Sequence, residues 1–221
     1  MRQSKLGFAF ASTSCFGCMF ALAITDATAQ QAQRTAARNV PAANAVRLKP
    51  GPPTIPKVLL TKQERALCRV GVGDPMPEVV LPQLGGNREI KLSALVGKKA
   101  TVVVFWKTDR RMTRQQLTDM QRDILDPFAA REVAVVGIAV KESEANAQAT
   151  LKKLEVKWPN LLDEKGEAFS QVGGEKLPRT YLLDSNGKIL WFDLEYSMGT
   201  RRDLIQALRA VVGDPNKVAG K

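Results

Sequence analysis

The chain has 221 residues, 44% hydrophobic and 25% charged, with three cysteines and no histidine, which fits one globular domain of ordinary size plus appendages. Without histidine it lacks the commonest general base and the Ser-His and Cys-His nucleophile pairs, and a thiolate or imidazole metal centre is set aside with them. Neither a metal nor a cofactor is expected. The net charge of +11 is uneven, because residues 30–67 hold seven basic residues and one acidic residue. No basic stripe or aromatic platform accompanies that charge, so no nucleic-acid partner is expected.

Arg2 and Lys5 precede a largely apolar run from Leu6 to Ile24, and Ala27-Thr28-Ala29 follows it. A positive start, an apolar middle and a small-residue end describe a secretory signal peptide over residues 1–29. The alternative is retention of the same run as a membrane anchor, although Ser12, Thr13 and Ser14 interrupt it as a span of about 20 apolar residues. Either reading places the protein in the periplasm or cell envelope. Cys15 and Cys18 lie in this segment and leave Cys68 as the single thiol of the rest. Cys68 is then either a buried, inert side chain or a free thiol that pairs with another molecule.

Residues 30–67 are rich in Ala, Gln, Arg and Pro and include the stretch KPGPPTIPK. Pro50, Pro52, Pro53 and Pro56 deny a continuing helix, and the segment reads as a disordered basic linker. Its cations either rest on an anionic membrane surface or stay solvated. The globular domain is expected over 68–213, with a tail over 214–221.

Within the domain, GDPMPEVVLP and REIKL read as two short strands around Gly85-Gly86-Asn87. Ser93 is expected to cap a helical turn. Ala100 to Trp106 is a continuous apolar, β-branched run, as in a strand buried on both faces. Thr108 or Asp109 is expected to cap the next helix, in which Leu117, Met120, Ile124, Leu125 and Phe128 recur at helical spacing. Pro127 should kink or break its end. Val133 to Val140 reads as a second buried strand, and a helix follows from Ser143 to about Leu154. Thr180–Leu183 and Ile189–Phe192 form a hairpin across a turn containing Asn186-Gly187. Thr200-Arg201-Arg202-Asp203 resembles a capping box for a last helix that turns Leu204, Ile205 and Leu208 inward and stops at Gly213. The order is α/β, a central mixed sheet flanked by helices on both faces.

The stretches GDPMPEVVLP, SALVGKKATVVVFWKT and VGGEKLPRTYLLDSNGKI resemble the TlpA/ResA-like exported thioredoxins, over nearly all of Val70 to Val212. The resemblance implies a thioredoxin-like fold with an extra N-terminal β-hairpin and an inserted helix between Ser143 and Leu154. In that family the strand runs into two cysteines separated by two residues at the helix start. Laid on this chain from Phe105-Trp106, the first falls on Arg110 and the second on Thr113. The family's proline facing the dithiol, expected cis, falls on Pro178, with Arg179 beside it.

Dithiol exchange needs a thiolate at the helix N-terminus and a second thiol to resolve the mixed disulfide, and arginine and threonine supply neither. The resemblance with these exchanges implies a redox-inactive module that binds a protein or peptide partner of the envelope, or a small anion. The candidates are Arg110, Arg111, Thr113, Arg114, Pro178 and Arg179. The arginines at a helix start that carries about half a positive charge either hold an anion or point into water. The alternative function is a thiol-disulfide oxidoreductase or redoxin-type protein that uses Cys68 alone.

Overall fold

The computed structural model describes residues 52–215. The expected signal segment, the expected linker as far as residue 51 and the end of the tail lie outside the described residues. The domain starts earlier than the boundary expected at Cys68. Val58 and Leu60 already pack against the core, and helix α1 (Lys62–Ala66) follows. Thr61 caps it reciprocally with Glu64: the Thr61 hydroxyl accepts from the Glu64 amide, and the Glu64 carboxylate accepts from the Thr61 amide at 2.9 Å. At the other end Arg131 donates to the Asp214 carbonyl at 2.9 Å, so the fold also runs one residue past the expected limit.

Strands β1 (Val80–Pro82) and β2 (Glu89–Lys91) form the expected antiparallel hairpin. A 3-10 turn over Leu92–Leu95 follows, with Lys91 and not Ser93 at its N-cap; the Ser93 amide donates instead to Glu78 at 3.3 Å. Strand β3 (Ala100–Trp106) is buried throughout. Helix α2 (Arg111–Met120) continues through a π-turn at Gln121–Leu125 into α3 (Asp126–Phe128). Pro127 does not end the helical path. The wider turn before it lets the Asp126 amide reach the Gln121 carbonyl, so the chain passes the residue that has no N–H to give.

Strand β4 (Val133–Val140) is followed by the expected helix, α4 (Glu144–Lys153), which the Ser143 hydroxyl caps. Besides α1, two further elements had not been expected: strand β5 (Asn160–Asp163) and helix α5 (Glu167–Val172). Strands β6 (Arg179–Asp184) and β7 (Ile189–Leu194) make the second hairpin. Its Gly187 has φ 78, a conformation that favours glycine. Helix α6 (Met198–Val212) begins one turn before the expected capping box. Ser197 is its N-cap and Thr200 its reciprocal partner.

The five-stranded sheet has the order β5-β4-β3-β6-β7. Strand β3 lies at its centre, parallel to β4 and antiparallel to β6. Side chains alternate across a strand, and β3 divides its residues accordingly. Val102, Val104 and Trp106 pack with Leu117 and Met120 of α2 and Leu204 and Leu208 of α6. Val103 and Phe105 pack on the other face with Phe169 and Val172 of α5 and with Tyr181. Fully burying a side chain of this kind stabilises the fold by about 1.5–3 kcal/mol. Helix α2 is therefore clamped to the centre of the sheet, and its start is held at the C-terminal end of β3.

Edge strand β5 is tied in by Asn160, which accepts from the Trp106 indole at 3.0 Å and donates to the Trp158 carbonyl at 2.9 Å. Gly137 leaves room for this contact, since a Cβ there would lie 1.9 Å from Asn160 Oδ1.

Candidate functional site: the cleft at the start of α2

After Trp106 the chain turns through Lys107–Arg110 into α2. The turn is held by buried Glu142, just beyond β4, which accepts from the Thr108 amide at 2.8 Å and from the Thr108 hydroxyl. Neither Thr108 nor Asp109 caps the helix, because Thr108 is committed to Glu142 and Asp109 sits beside Lys107 and Arg110 at 3.3 and 3.4 Å. Arg110 is the N-cap and offers no side-chain acceptor. The first amides of α2 are left without one of the oxygen caps that usually satisfy them.

A cleft of about 390 Å³ opens at this helix start. Arg110, Arg111 and Met112 form one wall, and Lys176, Leu177 and Pro178 form the other. Leu177-Pro178 is a cis peptide bond. Tyr196 adds an aromatic face, and Glu175 and Glu195 bring negative charge to the rim. The cleft is thus of mixed sign, with two carboxylates beside the arginines expected either to hold an anion or to point into water. Lys176 donates to Glu64 at 3.0 Å and to Glu195 at 3.2 Å. The Lys176 ammonium is held above its usual pKa, first by the Glu64 hydrogen bond. Glu64 is held down at about 2, first by the Thr61 amide and then by Lys176. The loop before Pro178 is therefore braced against α1.

Three of the expected residues are not where they were placed. Arg114 is exposed on α2 and does not line the cleft. Thr113 is 0% exposed, with a hydroxyl that has no hydrogen-bond partner among the described residues, so it stands behind the helix start and not in the opening. Arg179 is also 0% exposed and belongs to the other face of the sheet. Its guanidinium donates to the carbonyls of Leu67, Val172 and Gly174 and to the Tyr181 hydroxyl, at 2.9 to 3.4 Å, and stacks over Phe169 at 5.3 Å. Strand parity explains this. Thr180, not Arg179, faces α2, where its hydroxyl accepts from Gln116 at 2.5 Å. Arg110, Arg111 and Pro178 are the expected residues that do come together.

Beneath the cleft lies a network that sequence reading had not found. Asp119, 2% exposed, accepts from Tyr196 at 2.8 Å and from Arg122 at 2.6 Å. Asp123 accepts from Arg201 at 2.6 and 2.9 Å, joining the end of α2 to α6. The only sequence signal was a pair of carboxylates four residues apart, off the stripe of Leu117, Met120 and Ile124.

Burial alone would raise the Asp123 carboxyl, yet hydrogen bonds from Arg122 and Arg201 hold it at about 2, against an ordinary 3.8. A carboxyl lowered on folding stabilises fully above its unfolded pKa, here by about 1–2 kcal/mol after screening by solvent. That contribution is lost as the pH falls from 3.8 through about 2. Urea unfolding should therefore show wild type more stable than Asp123→Asn near neutrality, with the gap closing between about pH 5 and pH 2. A gap independent of pH would contradict this assignment.

Cys68 is half-buried, and its thiol donates to the Glu64 carbonyl at 3.4 Å. Burial pushes its pKa up, and it lines a separate groove and not the cleft. Among the described residues no cluster of three or more acidic or cysteine side chains is placed to hold a metal ion. No helix of the described residues is long and apolar enough to cross a membrane.

Comparison with known proteins agrees with this architecture. The thiol-disulfide oxidoreductase ResA of Geobacillus thermodenitrificans is 27% identical over 120 residues, covering 54% of this chain and 67% of that protein. The thiol:disulfide interchange protein DsbE of Pseudomonas fluorescens is 28% identical over 119 residues, 53% of this chain and 64% of its own. Among solved structures, the thioredoxin domain of a thiol-disulfide oxidoreductase from Bacteroides vulgatus superposes with a TM-score of 0.54 at 20% identity, covering 65% of this chain and 99% of that one. The peroxidoxin BcpB of Mycobacterium tuberculosis gives a TM-score of 0.54 at 22% identity, covering 63% and 97%. The AhpC/TSA family profile matches residues 72–192, more than half of the 221, and the chain belongs to that family and carries its thioredoxin-like fold.

Proposed function

We propose that this chain is an exported, redox-inactive thioredoxin-like module that holds a peptide or protein segment in the cleft between the start of α2 and the Pro178 loop. One observation carries the reading: the cleft combines apolar side chains with charges of both signs and has no thiol. Met112 is 39% exposed there, and Leu177, Pro178 and Tyr196 face the same opening. Arg110 and Arg111 on one side and Glu175 and Glu195 on the other suit a polypeptide with both kinds of charge better than a small anion. Arginine is neither nucleophilic nor deprotonated at physiological pH, and a threonine hydroxyl has no disulfide chemistry. The single-thiol alternative has less support, since the Cys68 thiolate is disfavoured by burial and a thiolate is what exchange requires. The charged start and apolar run of residues 1–29 support export.

The test is site-specific photo-crosslinking from the full-length protein in its native cells. A benzophenone side chain at Met112 should capture an envelope protein, and Arg110→Glu with Arg111→Glu should abolish the adduct. The same probe at Met198, 71% exposed and outside the cleft, should capture nothing specific. Equal adducts from both positions, or none from Met112, would refute the proposal.

A further inference from the structure

We propose that a second groove, between the extended segment at Ile55–Leu60 and the loop Val70–Asp74, docks an acidic polypeptide segment that also carries apolar side chains. The groove has a volume of about 1000 Å³ and shares no lining residue with the cleft. Its floor is β7, the outer strand of the sheet, through Ile189, Leu190 and Phe192.

The walls are built before any partner arrives. Val58 and Leu60 anchor one wall in the core. The other is laced to β7, with the Gly73 amide donating to Ile189 at 2.8 Å and the Ile189 amide donating to Asp74 at 2.9 Å. Binding to a preformed surface avoids the cost of ordering it.

The lining says what fits. Ile55 is 36% exposed and Val72 57% exposed, so apolar surface is concentrated in one concave place, as at interaction sites. Lys57, Arg65, Arg69 and Lys188 line the groove, and none of them forms an ion pair with another described residue. Asp74 is the one carboxylate of the lining, and it is engaged by the Gly71 amide at 2.8 Å. Four cations against one carboxylate leave the groove with a net positive charge, which selects an occupant of opposite sign. The chain's own segment 30–49 is excluded by its positive charge. A flat anionic bilayer matches the charge but not the concavity, whereas an extended chain lying along an outer strand matches both.

Cys68 lines this groove and supplies the readout. A random-peptide library is selected on the immobilised full-length protein, and an enriched peptide is then synthesised. The expected result is enrichment of sequences combining Asp or Glu with apolar residues, and slowing of Cys68 alkylation by iodoacetamide of about tenfold at saturation, located by peptide mass mapping. Arg65→Glu with Arg69→Glu should weaken binding by at least about tenfold, with an unchanged thermal melt, since both side chains are exposed. Arg110→Glu with Arg111→Glu should leave it unchanged. Enrichment without acidic residues, unaltered alkylation, or loss of binding through the Arg110/Arg111 pair would overturn the proposal; the last would assign the peptide to the cleft. Protection of Cys68 by phosphatidylglycerol vesicles, with none by peptides, would overturn it in favour of a lipid surface.

Discussion

Arg110→Cys combined with Thr113→Cys should convert this protein into a dithiol oxidoreductase, while wild type reduces insulin no faster than dithiothreitol alone. The two positions are one helical turn apart, joined by a Thr113 amide hydrogen bond to the Arg110 carbonyl at 3.1 Å, and neighbours at that spacing bring their Cβ atoms within about 5–6 Å. Their exposures are complementary. Arg110 is the exposed N-cap and Thr113 is fully buried behind it, so an attacking thiol would meet solvent and a resolving thiol would be shielded.

A thiol at the first position would sit among uncapped amides with Arg111 and Arg114 nearby in sequence, the setting that lowers a cysteine pKa into the range of about 3.5–7.5. Thr113→Cys is of similar size and removes a buried hydroxyl whose missing partner already costs about 1–3 kcal/mol, so the helix start should tolerate it. The double variant is expected to raise insulin reduction by at least about a hundredfold over wild type. Arg110→Cys alone should form mixed disulfides that do not turn over. Wild-type turnover abolished by Cys68→Ser would show instead that the single thiol is the working group.

The parts of the fold that were legible were those where local pattern and tertiary demand agree. The β-branched run Ala100–Trp106, apolar but for Thr101, is a buried central strand because both of its faces are covered in the middle of the sheet. Asn186-Gly187 makes a hairpin turn because the backbone there needs a positive φ. What was missed had weaker signals or conflicting ones. Strand β5 is four residues long, too short for periodicity to speak. Helix α1 carried a readable Thr-x-x-Glu cap in TKQE, overshadowed by the prolines just before it. The carboxylates Asp119 and Asp123 look like surface residues until Tyr196 and Arg201 arrive from far along the chain.

The site divides in the same way. Arg110 and Pro178 were legible because they hang on motifs, a strand-to-helix turn and a proline loop. Arg179 was placed in the cleft by its nearness to Pro178 in sequence. The alternation of a strand already read from Thr180 onward assigns it to the opposite face, with Tyr181 and Leu183, and that face is where the structure has it.

Arg179→Ala should then behave as a structural lesion and not a binding one. The guanidinium reaches the carbonyls of Leu67 at the end of α1 and of Val172 and Gly174 at the end of α5. Helix C-termini present unpaired carbonyls and partial negative charge, so two such ends, with the Phe169 face, stand in for a carboxylate around this buried cation. The same grip fixes the chain on both sides of the Cys68–Gly173 bridge. Truncation would leave a large void and cut several charge-assisted hydrogen bonds, an expected loss of about 3–5 kcal/mol in urea unfolding.

Lysine should not rescue it, because a single ammonium cannot point at three carbonyls in the guanidinium plane. Hydrogen exchange should speed up first at the amides of Arg69 and Gly174, which bond across this junction to Val172 and Leu67 at 3.1 and 3.0 Å, and Cys68 should become easier to alkylate. Cleft crosslinking from Met112 should persist in whatever fraction stays folded. An Arg179→Ala protein of unchanged stability that no longer captured its partner would place the guanidinium back in the binding site.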